Sequence, residues 1–165
     1  MGRIYTVPFT GTLTNTGGDS DLFELIPAAE KPIRLYGLVL AQHSDFKDAE
    51  EEGLRISIIR VPTTLTGGSG GSAVTPVATD DLDGAASFAA EANNTTIATT
   101  SGTLVVVEEF AWNVRMSPLE RWWPDPDTRI AYRRAAAAAQ AIVVRCQSTP
   151  TDDISIDITA YVEEM

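Results

Sequence analysis

The clearest pattern of apolar and polar positions lies near the end of the chain, in the segment "ISIDITAYV". Apolar side chains there recur at every second position, and polar side chains fill most of the alternate positions. A period of two is typical of a β-strand that is buried on one face. The face predicted to be buried carries Ile154, Ile156, Ile158, Ala160 and Val162.

Other segments also predict strands, each with its own irregularity. In "RIYTVPFTGTL", Tyr5, Val7, Phe9 and Leu13 share one face, and Pro8 predicts an edge strand or a bulge because proline cannot donate a ladder hydrogen bond. Residues 32–42 are apolar at both parities, which predicts a central strand covered on both faces. The remaining predicted strands are "LRISIIRV" with a bulge at Ile58 and Ile59, "LVVVEEFAWNVRM" as one bent strand or two, "QAIVVRCQ", "DLFELI" and "LERWW".

Helix signals are few. The segment "DFKDAEEEGL" is compatible with one or two turns closed by Gly53, and Ala135–Ala139 is either helix or an extended arm. Short strands separated by Gly, Pro, Asn and Asp predict an all-β fold. We expect a single domain over residues 1–165, built as a jelly-roll-like antiparallel β-sandwich with long loops and little helix.

The longest predicted loop spans residues 63–96 and is rich in Gly, Ser and Ala. Its "GGSGGS" stretch is typical of a flexible segment. Loops of this length in a compact domain are uncommon, and they tend to be functional or ordered by a partner. The sequence therefore predicts an interaction surface here, within residues 63–94.

Composition narrows the function classes. The formal net charge of -11 predicts repulsion of phosphate and anionic lipid, so we expect neither a direct nucleic-acid partner nor a membrane partner. One cysteine and one histidine provide no disulfide and no Cys/His set for zinc, and we expect no cofactor. Stability must then come from packing or from a partner subunit.

Candidate catalytic groups are present but poorly matched to catalysis. In "QHSDF", His43, Ser44 and Asp45 are consecutive, whereas a catalytic triad needs side chains that converge in space. The acids Glu108, Glu109, Glu120 and Asp125 lie near the aromatic residues, but a solvated acidic cluster does not supply the raised pKa that a glycosidase needs. The aspartates of "TDDLDG" lack the acceptor spacing of a calcium loop. The sequence predicts no enzyme.

The stretch "ERWWPDPD" contains Trp122 and Trp123, framed by prolines and acids. One interpretation is a sugar platform, in which ring faces stack on the ligand while Asp125 or Asp127 accepts hydrogen bonds from its hydroxyl groups. The other is packing, with one ring in the core and the other at or near a subunit contact. The packing interpretation is favoured because no catalytic partner accompanies the pair.

Segments spread over nearly the whole chain share a further pattern: "RIYTVPF", "DLFELIPAAEKPIRLYGLVLAQHSD", "EEGLRISIIRV", the "GGSGGS" loop, "EANNTT", "AWNVR", "LERWWP" and "YVEE". In overall pattern these segments together resemble small virion structural proteins encoded in the structural gene clusters of tailed bacteriophages.

The resemblance implies a capsid decoration (cement) protein that is made in the host cytoplasm and binds the outside of the capsid. The implied partners are the major capsid protein and further copies of the chain, most often in a trimer. We expect the contacts to involve Trp122, Trp123 and the strand edge carrying Tyr5, Val7 and Phe9. The alternatives are a carbohydrate-binding module on the virion exterior, and a tail or connector component.

Overall fold

The computed structural model describes residues 2–44, 53–132 and 140–165, which fold into two antiparallel sheets packed as a sandwich. Within these residues all regular structure is β. The predicted helix at 45–54 lies mostly outside the described residues, and Gly53 and Leu54 belong to a strand; Ala135–Ala139 lies wholly outside. The first-half strands are β1 (Arg3–Leu13), β2 (Ser20–Ile26), β3 (Ile33–Gln42), β4 (Gly53–Val61), β5 (Leu65–Thr66), β6 (Ser72–Val74) and β7 (Val77–Ala78). The others are β8 (Ala89–Asn94), β9 (Thr99–Thr100), β10 (Val105–Asn113), β11 (Leu119–Trp122), β12 (Ile130–Tyr132), β13 (Ala141–Cys146) and β14 (Ile154–Glu164).

The strand order is that of a jelly roll. Sheet 1 has the order β11-β3-β14-β1-β7, with β12 also pairing β3, and sheet 2 has the order β10-β4-β13-β2-β8-β6. The pairs are nested: β1 pairs β14, β2 pairs β13, β3 pairs β11 and β4 pairs β10. This nesting, with partners in each pair taken from opposite ends of the chain, is the jelly-roll arrangement. The predicted antiparallel sandwich is confirmed.

The main core lies between the two sheets and follows the alternation of the sequence. On β14 the residues predicted to face inward, Ile154, Ile156, Ile158, Ala160 and Val162, are all buried. The opposite sheet contributes the large side chains Trp112 and Phe23, which are fully buried. Burial of such apolar area is the main stabilising contribution in a domain that has no disulfide among its described residues.

Three irregular strands take a form that the sequence only partly indicated. The bulge predicted at Ile58 and Ile59 lies in the partner strand β10, where the register shifts between Val106 and Glu108. The segment after Leu104 is one strand, β10, rather than two. The strand at 33–42 is central, as predicted, but its outward residues are only half-buried.

Strand β1 is less of an edge than Pro8 suggested. It pairs β14 along its full length on one side and β7 at only Tyr5 and Thr6 on the other. Pro8 lies outside those two positions. A residue that cannot donate to a ladder is therefore tolerated there.

The prediction of a flexible loop at residues 63–96 is wrong for the interior of that segment. It contains β5, β6, β7 and β8; of these, β6 and β8 extend sheet 2 and β7 joins sheet 1. Around β5 and β9 the chain forms a covering layer, here defined as residues 62–70 and 95–104, on the outward face of sheet 2. A second apolar cluster lies beneath this layer, made of Ile59, Val61, Ala98, Ala141 and Val143, with Ile26, Leu65 and Leu104 packed against it.

The glycines of "GGSGGS" permit close packing of the backbone. A Cβ at Gly71 would overlap the carbonyl oxygen of Ala92, and one at Gly68 would overlap that of Thr96. Gly70 has φ +84°, a conformation that side-chain-bearing residues rarely adopt. This segment therefore packs against β8 and its exit, which explains its composition without a linker role.

Candidate interaction surfaces and a buried polar cluster

The two adjacent tryptophans have opposite environments. Trp123 is buried, with 8% of its surface exposed, and its Nε1 donates to Oε2 of Glu108 at 3.0 Å. Trp122 is 42% exposed on the outward face of sheet 1. The placement of Trp123 agrees with the packing interpretation for one ring of the pair and removes it from any surface platform.

Trp122 belongs to an aromatic cluster that we define as Tyr36, Trp122 and Tyr161. Its ring lies 5.7 Å from the Tyr36 ring at 69° and 4.7 Å from the Tyr161 ring at 50°, centroid to centroid. Gly37 pairs in register with both Trp122 and Tyr161, and a Cβ at Gly37 would overlap the indole. Absence of a side chain at Gly37 thus lets the ring lie against the backbone.

Sequence reasoning missed Tyr36, Gly37 and Tyr161. A glycine inside an otherwise apolar strand is a known sign of close approach by another group. Gly37 was therefore the available signal, but the pairing of β3 with β11 and β14 was needed to identify which rings approach it.

Arg129 fixes the proline-rich chain that follows the cluster. Its guanidinium lies 4.5 Å from the Tyr36 ring centroid. It donates to the carbonyl oxygens of Trp123 and Pro124, both at 3.0 Å, and to Oε2 of Glu163 at 2.5 Å. The residues after Trp123 are consequently held as a turn.

Asp125, a predicted acceptor for sugar hydroxyls, is engaged within that turn. Its Oδ1 accepts the backbone N–H of Asp127 at 3.0 Å, and its carbonyl oxygen accepts the Thr128 hydroxyl at 3.0 Å. This is the local role that aspartate commonly has in turns.

Two of the predicted contact residues on β1 are not on the surface. Tyr5 and Val7 are fully buried, and Phe9 is half-buried against the core. The Tyr5 hydroxyl donates to the carbonyl oxygen of Gly84 at 2.9 Å, and its ring meets Phe88 edge-on at 5.8 Å. The inward parity of β1 places the side chains of Tyr5 and Val7 in the core, so neither side chain is exposed to a partner; a contact at this strand edge stays a prediction.

The acids near the aromatics have structural partners. Glu108 accepts from Nε1 of Trp123 and forms an ion pair with Arg121, which connects β10 in sheet 2 to β11 in sheet 1. Glu109 accepts from the hydroxyl of Ser57 at 3.0 Å. Glu120 accepts from Nε1 of Trp122 at 3.0 Å.

His43 and Ser44 are engaged with β14. His43 Nδ1 lies 2.7 Å from Oδ2 of Asp157, and Ser44 Oγ accepts the backbone N–H of Ser155 at 2.8 Å. A hydrogen bond from the Thr10 hydroxyl lowers the pKa of Asp157 below its ordinary value, and His43 lowers it further. Asp45 lies outside the described residues.

A buried ion pair lies under the covering layer. Arg145 on β13 donates through Nε to Oδ1 of Asp21 at 2.6 Å, and through a terminal nitrogen to the carbonyl oxygen of Ala98 at 2.8 Å. The backbone N–H of Ala98 donates to Oδ2 of Asp21 at 2.6 Å. Both side chains are almost fully buried, so the pair ties the covering layer to sheet 2.

Glu24 is the second buried acid under this layer. Its Oε2 accepts the backbone N–H of Gly68 at 2.8 Å. Nδ2 of Asn94 lies 3.4 Å from the same Glu24 oxygen and 3.1 Å from Oε2 of Glu91. Its Oε1 has no hydrogen-bond partner among the described residues. Burial raises the pKa of Glu24, and the negative charges of Glu91 and Asp21 raise it further.

The raised pKa predicts a stability effect for Glu24→Gln. Because the folded state holds the proton more tightly than the unfolded state, the contribution of Glu24 to stability is largest below its unfolded pKa and is lost as pH rises through the folded pKa. Glutamine at position 24 cannot ionise, so the variant does not lose this stability as the pH rises. We therefore expect its free energy of unfolding, relative to that of the native sequence, to increase from pH 4 to pH 8. Urea unfolding across this range would measure it.

Asp152→Asn, at an exposed carboxylate, is the matched control. A change with pH for Glu24→Gln that is no larger than the change for Asp152→Asn would contradict the effect assigned to burial.

Within residues 2–44, 53–132 and 140–165, no group of three or more His, Cys, Asp or Glu side chains could hold a metal ion. In "TDDLDG", Asp80 Oδ1 accepts the N–H of Leu82 and Asp83 pairs with Arg3. None of the described residues forms a helix long and apolar enough to span a bilayer.

No protein-family model, curated protein or solved structure matches the chain.

Proposed function

We propose that this chain is a structural protein of a tailed-bacteriophage virion, which binds the outer surface of the capsid and stabilises the shell by bridging capsomers. Its partners would be the major capsid protein and further copies of the chain, with a trimer favoured. The jelly roll supports the proposal because viral capsid domains use this fold. The fold alone does not identify a function, so a specific surface must support it.

The observation that carries the proposal is an apolar strip on β10, defined as Val105, Val106 and Val107. These consecutive valines are 38%, 47% and 41% exposed. Successive side chains of a strand point to opposite faces, so these valines expose apolar surface on both sides of the β10 edge. Exposed apolar surface of this kind commonly marks contacts with other proteins.

The backbone beside the valine strip offers a second means of binding. Strand β10 is at the end of sheet 2 and, among the described residues, pairs only with β4. An edge of this kind can accept a strand from a partner through main-chain hydrogen bonds. We expect the capsid contact to include both the valines and this edge.

Mass action explains how such binding would stabilise the shell. A subunit that binds only the assembled lattice adds its binding free energy to that state. The net charge of -11 favours the exterior of the capsid, because packaged DNA would repel the protein.

Cosedimentation with expanded empty heads of the cognate phage tests the proposal. We expect the native protein to bind and to raise the temperature at which the heads disrupt, and we expect Val106→Glu to abolish both effects. Val77→Glu, at a 54% exposed valine on β7, is the matched control and should bind normally. No binding of the native protein to the heads, or electron micrographs that locate it only on the tail, would refute the proposal in favour of a tail or connector role. Equal binding by the two variants would refute the assignment of the contact to β10.

A further inference from the structure

We propose that the aromatic cluster of Tyr36, Trp122 and Tyr161 is a saccharide-binding platform, which stacks the apolar face of a pyranose ring on the exposed indole of Trp122. This inference goes beyond capsid attachment, since it concerns the outward face of sheet 1 rather than the edge of sheet 2. It also replaces the pair of adjacent tryptophans as the sugar site, because Trp123 is buried.

The indole is held in place before any ligand arrives. Gly37 lies beneath it, the rings of Tyr36 and Tyr161 flank it, and Glu120 accepts its Nε1–H at 3.0 Å. A side chain already fixed loses little conformational freedom on binding. The cluster therefore has the rigidity that a stacking platform requires.

The groups around the ring suit a ligand with an apolar face and a polar rim. Glu120 is exposed beside the indole, and Thr159 lies two residues before Tyr161 on the same outward face of β14. On the other side, the Arg129 guanidinium lies over Tyr36 and donates to the carbonyl oxygens of Trp123 and Pro124, which fixes that margin of the cluster. A pyranose presents C–H groups to an aromatic face and hydroxyls at its margin, where the carboxylate of Glu120 and the hydroxyl of Thr159 can bond them.

Two other ligand classes fit the surface less well. A nucleic-acid base would also stack on an indole, but the net charge of -11 and the adjacent Glu120 carboxylate repel its phosphates. A stable protein interface buries roughly 800 Å² on each partner. The cluster offers one ring that is 42% exposed and two half-buried ones, which matches the footprint of one or two sugar units.

An array of hexopyranose oligosaccharides, probed with the intact native chain, tests the site. We expect binding to a subset of glycans, and a loss of about tenfold or more in affinity for Trp122→Ala. Met116→Ala removes a 75% exposed apolar side chain elsewhere and is the matched control, which should bind as the native chain does. Because Trp112 and Trp123 are buried, fluorescence quenching by a bound oligosaccharide should report Trp122 and should vanish in Trp122→Ala.

Thermal unfolding followed by circular dichroism shows whether each variant is folded. If Trp122→Ala does not fold, Glu120→Ala leaves the ring and is expected to weaken binding at least about threefold. The proposal is overturned if the native chain binds no glycan, if folded Trp122→Ala binds as the native chain does, or if Met116→Ala loses binding equally. Since Val106→Glu tests capsid attachment and leaves this cluster intact, failure of one proposal is distinguishable from failure of the other.

Discussion

Replacing Asp21 with alanine should lower the free energy of unfolding by about 3–5 kcal/mol, the usual cost of breaking a buried ion pair by removing one partner. The variant leaves the Arg145 guanidinium buried without its carboxylate and frees the Ala98 N–H. Because these bonds join the covering layer to sheet 2, we expect hydrogen exchange in residues 95–100 to accelerate. Urea denaturation at pH 7 measures the loss of stability.

Two further variants give this test its controls. Asp19→Ala removes an exposed carboxylate two residues away and should cost little. Asp21→Ala combined with Arg145→Met removes both charges and should recover part of the loss, since neither member of the pair is then left buried without its partner. A cost for Asp21→Ala no larger than that for Asp19→Ala would mean that the pair does not hold the layer.

Replacing Trp123 with alanine should lower the free energy of unfolding by about 3–5 kcal/mol. The change leaves a cavity between the edges of the two sheets and removes the hydrogen bond to Glu108, which also pairs with Arg121. Thermal and urea unfolding would measure the loss.

Two comparison variants, Trp122→Ala and Trp123→Phe, separate the loss of core packing from the loss of the hydrogen bond. Trp122→Ala, at a half-exposed position, should cost much less than Trp123→Ala. Trp123→Phe keeps most of the packing and loses the Nε1 donor, so its cost measures the bond to Glu108. Equal costs for the two alanine variants would contradict the assignment of one ring to the core and one to the surface.

Most of the strands could be predicted from the sequence, because their side chains alternate between core and solvent. Strand β14 shows this in the burial of Ile154, Ile156 and Ile158, and strand β1 in that of Tyr5 and Val7. The same alternation places the side chains of Tyr5 and Val7 in the core rather than on an exposed surface.

The covering layer could not be predicted, because its order comes from distant residues. Its strands, β5 and β9, are only two residues long each, so they carry no apolar period. Their positions depend on Asp21, Glu24 and Arg145, which local sequence assigns to a solvated face. Partners distant in sequence, at Ala98 and Gly68, make their burial possible.

The candidate surface was only half evident from the sequence. The tryptophan pair was conspicuous, but adjacent residues at the end of a strand do not reveal which ring faces outward. The strand register identifies Trp122 as the ring of the surface cluster, because Trp122 pairs with Gly37, and Gly37 also pairs with Tyr161. Such neighbours are distant along the chain, and no local pattern connects them.

The central place of β14 in sheet 1 has a consequence for folding. This last strand lies between β1 and β3, so neither earlier strand can complete its ladder until the end of the domain has left the ribosome. Contacts between such distant segments require large loops to close, which makes folding slow. Nascent chains therefore expose the edges of β1 and β3 until β14 is synthesised, and chaperones can bind these edges during that time.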